Sequence, residues 1–256
     1  MGEITGITWS HHTLNPIIGC VEVSEACDKC YAREQAKRMG IEWGVNAVRH
    51  ETKLWEQHAR SWNRKAEQAG ERRRVFCASM SDVFEDHPAW TAVRPRLWKL
   101  IDECKSLTWL LLTKRPENIN RMVPEQWRAT APVNVWFGTT TENDTHLRER
   151  WLWLRQVNAA KLFLSWEPSL GELDLTWILH DSECSNSHEL DWVIAGCESN
   201  GHGLGRPTQA HWYKNVLSQC RSMGIAYFQK QLDVGGKLVK DVNLFPKELQ
   251  IQEFPA

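Results

Sequence analysis

Six short apolar runs, each closing on polar residues, constrain the fold of this chain more than any other feature: 74–79, 107–113, 133–138, 161–165, 190–196 and 225–229. Their length and their β-branched and aromatic content read as buried strands. Longer amphipathic stretches suited to helices separate most of them. Pro88 to Lys105, Asn143 to Val157 and Thr208 to Met223 are the clearest, with Gly224 as a helix stop before the last run. Strand and helix in alternation imply a parallel sheet with right-handed crossovers. With an added strand near the N-terminus, the expected fold is α/β, a partial (β/α) TIM-type barrel of about six or seven parallel strands. One domain is expected to span residues 1–256. An open doubly wound sheet is the alternative, and no Gly-rich dinucleotide turn supports it.

The polar residues sit where a barrel uses them. The runs end in Ser79-Met-Ser-Asp82, Thr113-Lys-Arg-Pro-Glu117, Thr139-Thr-Thr-Glu142, Ser165-Trp-Glu-Pro168, Gly196-Cys-Glu-Ser-Asn-Gly201 and Gln229-Lys-Gln231, with Arg206 shortly after the fifth. In a parallel barrel all strand C-termini share one rim, so these groups are expected around a single mouth. Helix capping is the bland account of Ser81, Asp82, Thr141 and Asn143. Arg72 to Arg74 precede a strand, which places them at the opposite rim.

Two segments escape the rhythm. Lys29 to Gly70 reads as mostly helical with an interruption around Gly40 to Val45, and Leu173 to Glu189 is a polar insertion carrying His180, Cys184 and His188. A lid or a second metal site are the functional readings of the insertion; without tight ligand spacing it is expected to be a surface excursion. Seven of the fifteen tryptophans, Trp55, Trp62, Trp98, Trp127, Trp151, Trp153 and Trp212, fall in helical stretches and are expected to pack helix faces onto the core.

Cys20, Cys27 and Cys30 lie in the run Asn15-Pro-Ile-Ile-Gly-Cys-Val-Glu-Val-Ser-Glu-Ala-Cys-Asp-Lys-Cys-Tyr31. Three thiolates on one short loop can hold an iron-sulfur cluster, and with no fourth cysteine nearby one iron is left open to a small molecule. Met1 to Ser10 lacks a signal-peptide pattern and no apolar run is long enough to span a bilayer, so a cytoplasmic protein is expected. In that reducing compartment the eight cysteines do not suggest disulfides, and Cys77, Cys104, Cys184, Cys197 and Cys220 are by default small buried side chains. A formal net charge of -1 gives no global attraction to nucleic acid. Zinc is the first rival for the loop; it requires a fourth ligand, for which His11 or His12 is available. A thioredoxin-like pair at Cys27 and Cys30 suits neither the third cysteine nor the context.

In order along the chain, Ile7-Thr-Trp-Ser10, Asn15-Pro to Cys20, Cys27-Asp-Lys-Cys-Tyr31, Ser79-Met-Ser-Asp82, Leu112-Thr-Lys-Arg-Pro116, Ser165-Trp-Glu-Pro168, Gly196-Cys-Glu-Ser199 and Arg206-Pro207 resemble a family of uncharacterised phage and bacterial proteins with a three-cysteine motif. That family is similar to radical S-adenosylmethionine (radical SAM) enzymes and, more distantly, to spore photoproduct lyase. The resemblance implies that Cys20, Cys27 and Cys30 ligate three irons of a 4Fe-4S cluster and that S-adenosylmethionine chelates the fourth. It implies reductive cleavage to a 5'-deoxyadenosyl radical, fed by an external donor of the flavodoxin or ferredoxin type, that abstracts hydrogen from the substrate. Ser79, Ser81, Asp82 and Glu167 are then candidates for the cofactor's amino group and ribose. Lys114, Arg115, Arg206 and Lys230 are candidates for its carboxylate or a substrate phosphate.

The usual radical SAM loop has three residues between its first two cysteines and an apolar or aromatic residue before the last. Here that gap is six residues and Lys29 precedes Cys30, leaving Tyr31 to stack on adenine or to pack under the loop. Cys197 stands where the family more often has glycine. By analogy with the lyase it is a hydrogen-atom donor or thiyl relay; otherwise it is a small residue fitted to a glycine site. With Cys197, Glu167 and Lys114 as catalytic candidates, the implied substrate is a nucleobase, a modified pyrimidine in phage DNA undergoing modification, rearrangement or repair by an isomerase or lyase, in the host cytoplasm. Two other classes compete: a zinc-stabilised nucleic-acid-binding module, and a metal-independent barrel hydrolase using Asp82, Glu142 or Glu167 as acid and base.

Overall fold

The structure is a computed structural model describing residues 5–180 and 189–256. In chain order its elements are β1 (His12–Thr13), β2 (Ile17–Ile18), α1 (Tyr31–Arg38), β3 (His50–Glu51), α2 (Trp55–Gln68), β4 (Arg73–Cys77), α3 (Ala89–Glu103), β5 (Leu107–Thr113), α4 (Ile119–Met122), α5 (Glu125–Ala129), β6 (Val135–Thr140), α6 (Asp144–Leu154), β7 (Lys161–Trp166), α7 (Thr176–His180), β8 (Trp192–Gly196), α8 (Ala210–Met223), β9 (Ala226–Val234) and β10 (Lys237–Val239).

One eight-stranded sheet runs in the order β1-β4-β5-β6-β7-β8-β9-β10. From β1 through β9 every pairing is parallel, and β10 folds back antiparallel on β9. The result is a curled half-barrel with all seven parallel strands ending on one rim, the partial TIM-type α/β fold that the apolar runs predict. A separate antiparallel pair joins β2 to β3.

Alternate residues along each strand divide into two cores, as the period-two geometry of a strand requires. Val75, Cys77, Trp109, Leu111, Leu162, Leu164, Val193 and Ala195 face the helices in the larger core. Phe76, Leu110, Phe163, Trp192, Ile194 and Phe228 form the smaller one with Trp9, and it fills the concave side. Trp192 is its hub: Trp9 stands edge-on at 6.3 Å, Phe228 edge-on at 6.0 Å, and the C-terminal Phe254 lies 5.4 Å away. Curling demands a small residue where inner side chains converge. A Cβ on Gly138 would lie 2.4 Å from the Phe163 ring.

Several expectations shift. β6 runs on through Thr139 and Thr140 because the buried Thr139 hydroxyl is satisfied by Thr113 O at 2.8 Å. The interruption between α1 and α2 is longer than 40–45: Gly40, at φ 70, follows α1, and β3 then pairs with β2 before α2 begins. Trp55, Trp62, Trp98, Trp127 and Trp151 are buried as expected and Trp212 packs partly buried on the core, but Trp153 is 52% exposed. In the insertion Leu173 and Leu175 are buried and Trp177 and Ile178 pack on the helix-side core, so its first part belongs to the fold. Cys184 and His188 lie outside the described residues. Arg74, at the start of β4, lies over the Phe254 ring at 3.6 Å, on the rim opposite the strand C-termini. Among the described residues no helix is long and apolar enough to cross a membrane.

Candidate functional site

The strand C-termini and the loop following β2 enclose a cavity of about 700 Å³. A space of that size is ordinary for a small-molecule or cofactor site. Cys20, Cys27 and Cys30 all line it, together with Ser79, Ser81 and Asp82 after β4, Lys114 and Arg115 after β5, Glu167 after β7, Cys197 after β8 and Lys230 on β9. The sequence places these groups on one mouth, and the fold brings them there.

The cysteine loop is fastened at each of its turns. Gly19, at φ 122, opens it with a backbone N–H to Met80 O at 3.0 Å. No side chain fits at Gly19, since a Cβ there would meet Arg49 Cδ at 2.7 Å. Arg49 passes beneath the loop to a buried two-pronged contact with Glu85, 2.6 and 3.0 Å long. The Ser24 hydroxyl donates to Glu142 at 2.5 Å, and Glu142 in turn holds Arg150 at 2.6 Å. Glu25 accepts from Asn143 at 2.8 Å and lies 2.8 Å from His146 Nε2, contacts that hold its carboxyl below the usual range, led by the His146 hydrogen bond. Arg206 reaches Glu25 O at 2.9 Å. At the exit, Cys30 caps α1, so the positive end of that helix begins beside the last thiol.

Asn15 positions the first rim segment. Its side-chain oxygen accepts from the backbone N–H of Ser79 at 2.7 Å and of Met80 at 2.9 Å, and Tyr31 Oη donates to Ser79 O at 3.1 Å. Tyr31 therefore packs under the loop with its hydroxyl engaged, and burial pushes its pKa up. Asp82 is likewise engaged through both oxygens. One accepts from Phe84 N and Thr113 Oγ1 at 2.9 and 2.7 Å, the other from Lys114 N and Arg115 at 3.1 and 2.9 Å. Its geometry is that of an organising residue rather than of a carboxylate free to bind a ribose. Arg206 departs from expectation too: its guanidinium binds Glu198 and the cysteine loop and does not line the cavity.

Groups with open capacity are fewer. The buried Ser81 hydroxyl makes no hydrogen bond, and Lys114 extends into the cavity wall with no ion pair among the described residues. Glu167 Oε2 accepts from Ser165, while Oε1 lies 2.8 Å from Lys230 Nζ at an angle that makes an ion pair but no hydrogen bond. Burial, with Asp233 nearby, pushes the Cys197 thiol up to about 12, so it stays a neutral S–H. Burial and Asp82 also push the Cys20 thiol up to about 12, against the opposing pull of Arg115.

This geometry weighs on the competing readings. Among the described residues no three His, Cys, Asp or Glu side chains, the three cysteines included, are gathered for a single metal ion. Neither histidine offered as a fourth ligand stands at the loop: His12 is stacked on Trp62 at 4.4 Å, and His11 Nδ1 accepts from Arg74 N at 2.8 Å. Glu142 is fully buried against Arg150 and Ser24 and does not reach the cavity, so it is removed from any acid–base pair. His146 and Arg150, which help to tether the loop, carry no motif of their own in the sequence, and Ser24 and Glu198 stand in motifs that give no sign of this role.

No curated protein matches the chain. Two solved structures of spore photoproduct lyase do. One is a double mutant with bound AdoMet and dinucleoside spore photoproduct, 14% identical with TM-score 0.49, covering 82% of this chain and 60% of that one. The other is a single mutant, 14% identical with TM-score 0.50, covering 73% of this chain and 56% of that one. The chain thus spans less than two thirds of the length of these lyase chains, and at this identity the likeness is one of fold. A family described as a protein of unknown function, DUF5131, matches residues 4–244, and the chain belongs to that family.

Proposed function

We propose that the chain is a radical SAM enzyme acting on a nucleobase. The observation that carries this reading is the convergence of three cysteines from one loop on the cavity that the C-terminal tips of the parallel strands also line. When bound, a 4Fe-4S cluster with S-adenosylmethionine on its open iron supplies, after one-electron reduction by an external flavodoxin- or ferredoxin-type donor, a 5'-deoxyadenosyl radical for hydrogen abstraction.

The chain's own residues have separable tasks. Cys20, Cys27 and Cys30 hold the cluster. Ser81 offers an uncommitted hydroxyl, and Glu167, ion-paired with Lys230 but with one oxygen that accepts no hydrogen bond, a carboxylate, which suit an amino group or ribose; Lys114 offers the cation that suits a carboxylate or phosphate. Ser79, Tyr31 and Asp82 keep the rim in place around them. Cys197, a thiol on the cavity wall, would give a hydrogen atom to a substrate radical. Lys29 and Lys240 at the same cavity, with the aromatic face of Trp43, fit a phosphate-bearing nucleobase such as a modified pyrimidine in DNA. A single domain in the cytoplasm of a bacterial or phage-infected cell agrees with this chemistry.

Anaerobic reconstitution tests the proposal. The expected product is a brown protein with about four irons and four sulfides per chain that yields 5'-deoxyadenosine from S-adenosylmethionine and dithionite. Cys20→Ala, Cys27→Ala and Cys30→Ala should each lose most of the iron and all turnover. A fully loaded cluster that yields no 5'-deoxyadenosine, or stoichiometric zinc in its place, overturns the reading.

A further inference from the structure

Arg115 lies on the tip after β5, 95 residues from the first cysteine, and its side chain closes a three-way junction. Nη1 donates to Asp82 at 2.9 Å and lies 3.8 Å from Cys20 Sγ, and Nη2 donates to Val21 O at 2.9 Å. The guanidinium is nearly enclosed, with 11% of the side chain exposed against 7% for Asp82. Asp82 is itself immobilised by Thr113, Lys114 and Phe84, so the planar fork of Arg115 has one orientation available to it. The side chain, in the cavity wall, is therefore committed to the loop that carries the cysteines and to Asp82.

We propose that Arg115 is a positioning residue for the iron-sulfur cluster, donating to the sulfur of Cys20 and thereby setting both the seat of the first ligand and the reduction potential of the cluster. The proposal rests on the cluster reading above. Hydrogen bonds to ligating sulfurs and the net charge around a cluster are the main levers on its potential. A donor and a positive charge at Cys20 withdraw electron density from that sulfur and stabilise the reduced state. Lysine keeps the charge but loses the fork, because a single ammonium cannot hold Asp82, Val21 O and Cys20 in one plane. Neither Cys27 nor Cys30 has an arginine or lysine within hydrogen-bond distance of its sulfur among the described residues, so this influence falls on one ligand of the three.

The test is the midpoint potential of the reconstituted cluster, read by EPR-monitored redox titration in wild type, Arg115→Met and Arg115→Lys, with Asp82→Asn/Arg115→Met as control for the orphaned carboxylate. The expected result is a more negative midpoint in Arg115→Met at equal iron and sulfide content, a smaller shift in the same direction in Arg115→Lys, and a shift that persists in the double variant. Equal potentials in fully loaded wild type and Arg115→Met overturn the proposal. If Arg115→Met takes up no iron, the reading moves to Arg115→Lys, and a potential equal to wild type there overturns it as well. A wild-type protein that forms no cluster counts instead against the function proposed above.

Discussion

Glu142→Ala probes the tether that carries the cysteine loop onto β6. The carboxylate is fully buried and faces Arg150 at 2.6 Å, whose side chain is 8% exposed, while its other oxygen holds Ser24 at 2.5 Å. Removing it leaves a buried guanidinium with Thr140 O, at 2.7 Å, as its remaining hydrogen-bond acceptor among the described residues. Breaking a buried pair in this way costs about 3–5 kcal/mol, because the surviving charge is uncompensated. For a chain of this size that corresponds to a fall in Tm of roughly 6–20 °C. Circular dichroism melts of the metal-free protein read it directly. Because a well-packed apolar pair in place of a buried ion pair is often neutral, Glu142→Ala/Arg150→Met should regain most of the loss. A fall under about 2 °C, the scale of an exposed pair, or a double variant no better than the single, would refute the view that this contact is a buried anchor.

Two further outcomes follow. Gly138→Ala places a methyl 2.4 Å from the Phe163 ring on the crowded concave face, so it should destabilise by about 1–3 kcal/mol in urea titration; an unchanged midpoint would mean that the inner core yields more easily than its packing implies. Burial, with Arg74, His12 and Arg73 close by, lowers the His11 pKa below its ordinary 6.5. The folded state then binds fewer protons than the unfolded one below pH 6.5, so this contribution is intact above that value and is lost as pH falls through the lowered folded pKa. His11→Asn, which retains an acceptor for Arg74 N, should narrow the loss of Tm between pH 7 and 5, and parallel pH profiles would contradict that assignment.

The strands were readable in the sequence because burial on both faces leaves an unbroken apolar run. Leu107–Thr113 is found with the expected bounds, and the ends of β7 and β8 fall within a residue or so of expectation. α8 was readable through its stop, Gly224, which stands at φ 69. The end of β6 was not, since Thr139 and Thr140 are polar in sequence and satisfied only by a neighbouring strand. At the site, position on the rim was legible but direction was not. Glu142 and Arg206 occupy strand-tip positions that suit chemistry, yet each turns toward a partner, Arg150 or Glu198, that only the folded loops bring into place. Arg115 stands in the Leu112-Thr-Lys-Arg-Pro116 segment, but its partner Cys20 lies on a distant loop, and no spacing rule links them.

The aromatic floor beneath the cavity has a consequence for how the chain is made. Trp9 and Phe254 meet the same side chain, Trp192, so the two ends of the described chain complete one cluster. Until residues beyond 250 emerge from the ribosome, Trp192 and Phe228 lack part of their cover, and growing strands present an aromatic concave face to water. Contacts spanning so much sequence are slow to form, and transiently bare apolar surface invites association. Synthesis of this protein is thus expected to lean on chaperones, and a bulky fusion that pulls the last residues off β9 should leave a chain with its secondary structure formed and its floor still open.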